Sequence, residues 1–224
     1  MMRLERSSEY PPPNRHFVYA VGMRIFKTTK AIMTMAFFNF CCFMSSQAFA
    51  APAAPDAAAG KTKAQTCFAC HGENGMGIEP PIPNLAAQPP LAIFYQLVQF
   101  REGMRKGGAM ESFAKPLTDN DIRDIAAYFS TLPPPPAKEG DAAKISIGKQ
   151  IAQQQYCNSC HAPQFQGQKQ VSRLAGQSKD YFITQLRNIR SGTRVDMDGT
   201  MGSAARGVSD AQIDALAEYA ASLP

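Results

Sequence analysis

Apolar residues recur at helical spacing in matched places along this chain. The two most regular stripes are Ile122, Ile125, Ala126 and Phe129, and Ile213, Leu216, Ala217 and Ala220. Each is preceded by a capping-box pattern, Thr118-x-x-Asp121 and Ser209-x-x-Gln212, which predicts where the helix begins. Leu91 to Arg101 and Tyr181 to Arg190 also read as helices, the first with apolar residues at Leu91, Phe94, Tyr95, Leu97 and Val98. Two shorter helices are expected over Ala57 to Thr66 and Ile145 to Gln155, each running into a cysteine. No segment alternates convincingly as a strand, so the expected class is all-α.

These stripes belong to a larger repeat. Shifted by about 90 residues, Cys67-Phe68-Ala69-Cys70-His71 falls on Cys157-Asn158-Ser159-Cys160-His161. Leu85-Ala86-Ala87-Gln88 falls on Leu174-Ala175-Gly176-Gln177, and Gln96-Leu97 on Gln185-Leu186. Arg101, Gly103 and Arg105 meet Arg190, Gly192 and Arg194, Tyr128 meets Tyr219, and Leu132-Pro133 returns as Leu223-Pro224. A domain-sized period occurring twice is a tandem duplication. The expected organisation is a presequence at 1–50, a first domain at 51–132, a linker at 133–140 and a second domain at 141–224. The linker opens with Pro133-Pro134-Pro135-Pro136, which favours polyproline II and a semi-rigid spacer. Each domain is small enough that its own core is marginal, so a buried prosthetic group would contribute apolar mass.

The first fifty residues need separate treatment. Arg24, Lys27 and Lys30 lead into an apolar run from Ala31 to Met44 and then into Ala48-Phe49-Ala50. That is a basic region, an apolar region shorter than the roughly 20 residues a spanning helix needs, and an Ala-x-Ala cleavage site. Export with cleavage after Ala50 is expected. Residues 1–22 resemble no part of a signal peptide, and Met23 offers a start immediately before it. A lipidated Cys41 or Cys42 lacks the small residues expected ahead of it. The presequence holds six basic and two acidic residues, which leaves 17 against 16 in the remainder. That near-balance gives no basis for nucleic-acid binding, and any membrane association is expected to be peripheral or through partners.

Two of the six cysteines lie in the presequence; the others are Cys67, Cys70, Cys157 and Cys160. Cys-x-x-Cys followed directly by His reads as c-type haem attachment, with two thiols for the vinyl groups and an adjacent imidazole for the iron. A thioredoxin-like pair would need a βαβ context. A four-cysteine zinc site would have to join motifs from both domains and would leave His71 and His161 unexplained. Besides these two histidines the chain has only His16, upstream of the export signal. A sixth iron ligand must then come from elsewhere, and methionine is the best candidate. Met110 lies seven residues before Leu117 and Met201 seven before Val208, equivalent positions in the repeat, in segments read as Gly- and Ala-rich loops. Met197 is a rival to Met201 and Met104 a weaker rival to Met110, while Met76 is too close to its motif. The expected site residues are therefore Cys67, Cys70, His71 and Met110, and Cys157, Cys160, His161 and Met201, holding two covalent haem c groups.

Each half resembles a class I cytochrome c, and the whole resembles dihaem cytochromes of the cytochrome c4 type from Ala57 to Pro224. The resemblance is carried by the attachment motifs, Leu174 to Gln177, Met110 and Met201, Leu117-Thr118-Asp119 and Ala127-Tyr128. It also implies a carbonyl that accepts the N–H of the iron-binding histidine: Pro83 in the first domain, with Ser172 in that place in the second. It implies two tandem class I cytochrome c domains, each wrapped around one haem, and an electron carrier rather than an enzyme. The implied role is a periplasmic shuttle of single electrons from a quinol-oxidising complex or dehydrogenase toward a terminal oxidase. An alternative is a permanently bound cytochrome subunit of a flavin- or quinone-dependent dehydrogenase. Peroxidase activity would need a vacant or displaceable ligand, against which a methionine candidate in each domain argues.

Overall fold

The computed structural model describes residues 54–224; the expected export signal and its cleavage site lie outside them. The first half runs α1 (Ala57–Lys63), a 3-10 turn (Gln65–Cys67), α2 (Phe68–His71), α3 (Pro90–Arg101), α4 (Ala109–Ala114) and α5 (Asp119–Thr131). The second half repeats it as α6 (Ala142–Gln154), α7 (Cys157–His161), α8 (Lys179–Ser191), α9 (Thr200–Ala205) and α10 (Asp210–Ala221). Among the described residues the only ladder-type pairing is one isolated bridge, Gln168 with Val171. No helix there is long and apolar enough to cross a membrane.

Both capping boxes form. Thr118 accepts from the Asp121 N–H while Asp121 accepts from the Thr118 N–H, and Ser209 and Gln212 do the same. The stripes behind them are the cores. Ile122, Ile125, Ala126 and Phe129 are buried in the first half, and Ile213, Leu216, Ala217 and Ala220 in the second. Each large side chain among them contributes roughly 1.5–3 kcal/mol by leaving water.

The first and last helices of each half cross at a glycine. A Cβ on Gly60 would lie 1.9 Å from the Asp124 carbonyl oxygen, and one on Gly148 would lie 2.1 Å from that of Ala215. Only hydrogen fits between these backbones, so α1 meets α5, and α6 meets α10, in direct backbone contact. The repeated arginines have matching work. Arg101 donates to the Leu117 carbonyl and to Asp119, and Arg190 to the Val208 carbonyl and to Asp210. They fasten the ends of α3 and α8 to the starts of α5 and α10.

Three helices differ from the reading of the sequence. Met110 and Met201 sit in the six-residue helices α4 and α9 rather than in loops. Each starts after a glycine at positive φ, Gly108 or Gly199, and ends at a buried alanine, Ala114 or Ala205. In α3 the buried residues are Ala92, Ile93, Gln99 and Phe100, whereas Leu91 is 49% exposed. That helix is apolar nearly all round, so its periodicity does not select a face.

The proline segment lies against the second half. Lys138 N–H donates to the Ala221 carbonyl at 2.8 Å, and Pro135 is buried beneath Gly176, where a Cβ would come within 2.8 Å of the Pro135 Cβ. The halves also meet through reciprocal polar contacts. Gln177 grips the backbone of Asn84, and Gln88 grips the backbone of Arg173. Arg105 donates to Gln185 and to the Tyr181 hydroxyl, while Arg194 donates to Gln96. These pairs exchange equivalent residues of the repeat, so the contact has an approximate two-fold character. Burial, and then the adjacent Arg105 charge, hold the Arg194 guanidinium down to about 10.

Candidate functional site

Each attachment motif occupies a single helical turn. Cysteines three apart, with histidine one further on, share one side of such a turn. Thus Cys67, Cys70 and His71 converge in the first half, and Cys157, Cys160 and His161 in the second. Cys67 and Cys157 are half-buried, Cys70 and Cys160 exposed, and none of the four is in a disulfide. Burial pushes the Cys67 and Cys157 thiols up. Among the described residues no three of His, Cys, Asp and Glu are grouped so as to hold a metal ion by themselves.

The histidines show how the donor set fits a haem iron. His71 Nδ1 lies 3.0 Å from the Pro83 carbonyl oxygen and His161 Nδ1 lies 2.8 Å from that of Ser172. A carbonyl can only accept, so Nδ1 carries the proton and Nε2 keeps its lone pair for a metal. Burial lowers both imidazole pKa values, against a smaller upward pull from the carbonyl, and favours that neutral form. Ser172 thus does in the second half what Pro83 does in the first, because the acceptor is a backbone atom and the side chain is immaterial.

Met110 and Met201 are both half-buried and stand in the same register, each the second residue of its helix, α4 or α9. Met201 packs against the second core. Their rivals are turned outward, Met104 being 58% and Met197 64% exposed. The α9 start is pinned by Asp196, which accepts from the Met201 N–H at 2.7 Å and from the Gly202 N–H at 3.1 Å. In α4 the Met110 N–H instead reaches the Gly107 carbonyl at 3.4 Å.

Sequence reading did not pick out the residues behind the histidines. Asn84, Gln88, Arg173 and Gln177 are all buried polar groups. The signal available was that Gln88 and Gln177 match in the repeat.

An all-helical duplicated fold, with an attachment turn and a neutral, carbonyl-held imidazole in each half, defines a dihaem c-type cytochrome. Comparison with known proteins agrees. Residues 54–129 match the family described as "Cytochrome C oxidase, cbb3-type, subunit III", and residues 145–224 the family "Cytochrome c". Cytochrome c4 of Thiocapsa roseopersicina is 35% identical over 182 residues, covering 76% of this chain and 94% of that protein. The "Thiosulfate dehydrogenase electron acceptor" of Thiomonas intermedia is 34% identical over 179 residues, covering 75% and 82%. Among solved structures, reduced recombinant cytochrome c4 from Pseudomonas stutzeri superposes with a TM-score of 0.71 at 32% identity, covering 76% of this chain and all of that one. The chain belongs to the cytochrome c4 family. It is an electron carrier with two covalent haem c groups, and the Cys67/Cys70 and Cys157/Cys160 pairs fit their attachment.

Proposed function

We propose that this protein moves single electrons in the periplasm, from a quinol-oxidising complex or dehydrogenase to a terminal oxidase, using one haem in each of two domains at 51–132 and 141–224. In this reading the export segment is cleaved after Ala50 and residues 133–140 connect the domains. Cys67, Cys70, Cys157 and Cys160 would hold the haems, and His71 with Met110, and His161 with Met201, would ligate the irons. A haem so held would supply a one-electron iron centre, which suits electron transfer.

The protein's own part is to hold that centre still. The two cysteines of one helical turn would anchor the haem, and the Nδ1 hydrogen bond fixes the histidine's ring orientation and tautomer. The short helices α4 and α9, each ended by a buried alanine ahead of a capped helix, fix where the thioethers stand. The observation that carries the reading is the equivalence of the two sites: motif turn, carbonyl-held histidine and half-buried methionine recur in register in both halves.

A second reading is favoured by two relatives. The likeness to a thiosulfate dehydrogenase electron acceptor points to a permanently bound cytochrome subunit of a dehydrogenase. Purification from the native membrane fraction with identification of attached proteins separates the two. A general shuttle comes free of any stoichiometric catalytic subunit, whereas constant co-purification with a dehydrogenase overturns it in favour of the second reading.

A further inference from the structure

The carbonyl that accepts from each histidine belongs to a peptide group whose N–H is held by the other half of the molecule. In the second half, His161 Nδ1 is 2.8 Å from the Ser172 oxygen. The same peptide unit continues as the Arg173 N–H, which donates to Gln88 Oε1 at 3.0 Å. Gln88 Nε2 in turn donates to the Arg173 carbonyl at 2.9 Å. In the first half, His71 Nδ1 is 3.0 Å from the Pro83 oxygen. The N–H of that peptide unit is Asn84's, and it donates to Gln177 Oε1 at 2.8 Å while Gln177 Nε2 donates to the Asn84 carbonyl at 3.0 Å. A backbone N–H can only donate and a backbone carbonyl only accept, so the orientation of both glutamine amides is fixed by these contacts. Gln88, Gln177, Asn84 and Arg173 are each at most 8% exposed, which shields the chain of bonds from water.

We propose that Gln88 and Gln177 are crossed positioning residues, each tuning the iron-binding histidine of the opposite half. The proposal rests on His71 and His161 being the iron ligands. Hydrogen bonds in series polarise one another, and the effect is larger in a buried site. An acceptor on the peptide N–H makes its carbonyl more negative, which pulls harder on the histidine Nδ1–H and makes the imidazole a stronger donor to iron. A stronger donor favours the oxidised metal. Each glutamine therefore lowers the potential of the haem in the domain to which it does not belong.

The test is a redox titration of the full protein followed by NMR, which reads the two haems separately, on Gln88→Met, Gln88→Glu and Gln177→Met. Gln88→Met removes the acceptor at similar volume and should favour reduction of the haem at Cys157 and Cys160 by about threefold. That is about 30 mV at 59 mV per tenfold for one electron. Gln177→Met should do the same to the haem at Cys67 and Cys70. Gln88→Glu keeps an acceptor and strengthens it, so the second haem should move in the opposite direction and by more than the first. That sign reversal cannot arise from a merely loosened interface. Movement confined to the haem of the substituted half, equal movement of both haems in every variant, or no movement overturns the proposal. Histidine ligation is checked separately by His71→Gly, in which the first haem should become high-spin. A low-spin haem unaltered by that change overturns the ligand reading itself.

Discussion

The two halves follow one plan but at two of its turns exchange a glycine for a strained alanine. Directly after the histidine the first half has Gly72 at φ 68°, whereas the second has Ala162 at φ 69° and ψ 159°, a region that only glycine enters freely. At a later matched turn the assignment reverses. Gly176 has φ 68° in the second half, and Ala87 has φ 54° in the first. Both of the latter donate to the end of the closing helix, to the Phe129 and Ala220 carbonyls. Each half thus keeps one glycine and one strained alanine. The backbone path is fixed by what surrounds it, and the side chain at either turn has been free to drift at a cost of about 1–3 kcal/mol.

The aromatic packing drifts in the same manner. In the first half Phe68, inside the motif, packs on Tyr128 and Phe129 with ring centroids 5.8 and 6.4 Å away. The second half has Asn158 there and instead brings Phe165, 1% exposed, against Tyr219 at 5.4 Å and the His161 ring at 6.2 Å. Phe165 occupies the place of Gly75 and adopts φ 59° to do so. Each half thus sets one aromatic side chain from outside the closing helix against that helix's tyrosine, from a different position in the repeat.

The largest test of the shared plan is at the helix crossings. Gly60→Ala and Gly148→Ala should each cost about 3 kcal/mol in denaturant unfolding, since the neighbour that must yield is backbone. A loss of a few tenths at either site would show that the two crossings are not equivalent.

The turns after the histidines should respond with opposite signs. Gly72→Ala should destabilise by about 2 kcal/mol, because its Cβ would meet the Met76 carbonyl oxygen at 2.6 Å. Ala162→Gly should stabilise by about 1 kcal/mol. Thermal unfolding of the two variants side by side decides it, and a stabilisation by both or by neither would contradict the account of exchanged strain.

The smallest effect is in acid. Hydrogen bonds from Lys63 and then Thr118 hold Asp121 down to about 2, whereas Gln212 takes the matching capping position in the second half. A carboxylate with a depressed folded-state pKa stabilises above its unfolded pKa and loses that contribution as pH falls toward its folded value. Asp121→Gln should therefore flatten the stability profile between about pH 4 and pH 2, by no more than about 1 kcal/mol for so solvent-accessible a group. An unchanged acid slope would place the sensitivity elsewhere.

Much of this was legible in the chain. The closing helices could be read because their stripes are one-sided and their capping boxes are local chemistry. The attachment turns could be read because Cys, Cys and His must sit three and then one residue apart. The helices α4 and α9 were not legible, since six residues hold less than two turns and establish no period. Gly60 and Gly148 were visible as glycines inside helical segments, but what they approach lies more than sixty residues away. The work of Gln88 and Gln177 was hidden for the same reason: repetition marked both, and only the packing of one half on the other gives each a peptide to hold.

The central claim is that each half carries its own haem between the motif histidine and the methionine matched in register. The direct measurement is the thioether-to-iron charge-transfer band near the red end of the visible spectrum, recorded on the oxidised protein and its methionine variants. Met110→Ala and Met201→Ala should each weaken the band by about half, with the two haems taken as equivalent, and each should leave one haem high-spin. Retention of the full band in Met201→Ala together with its loss in Met197→Ala would contradict the matched register in the second half.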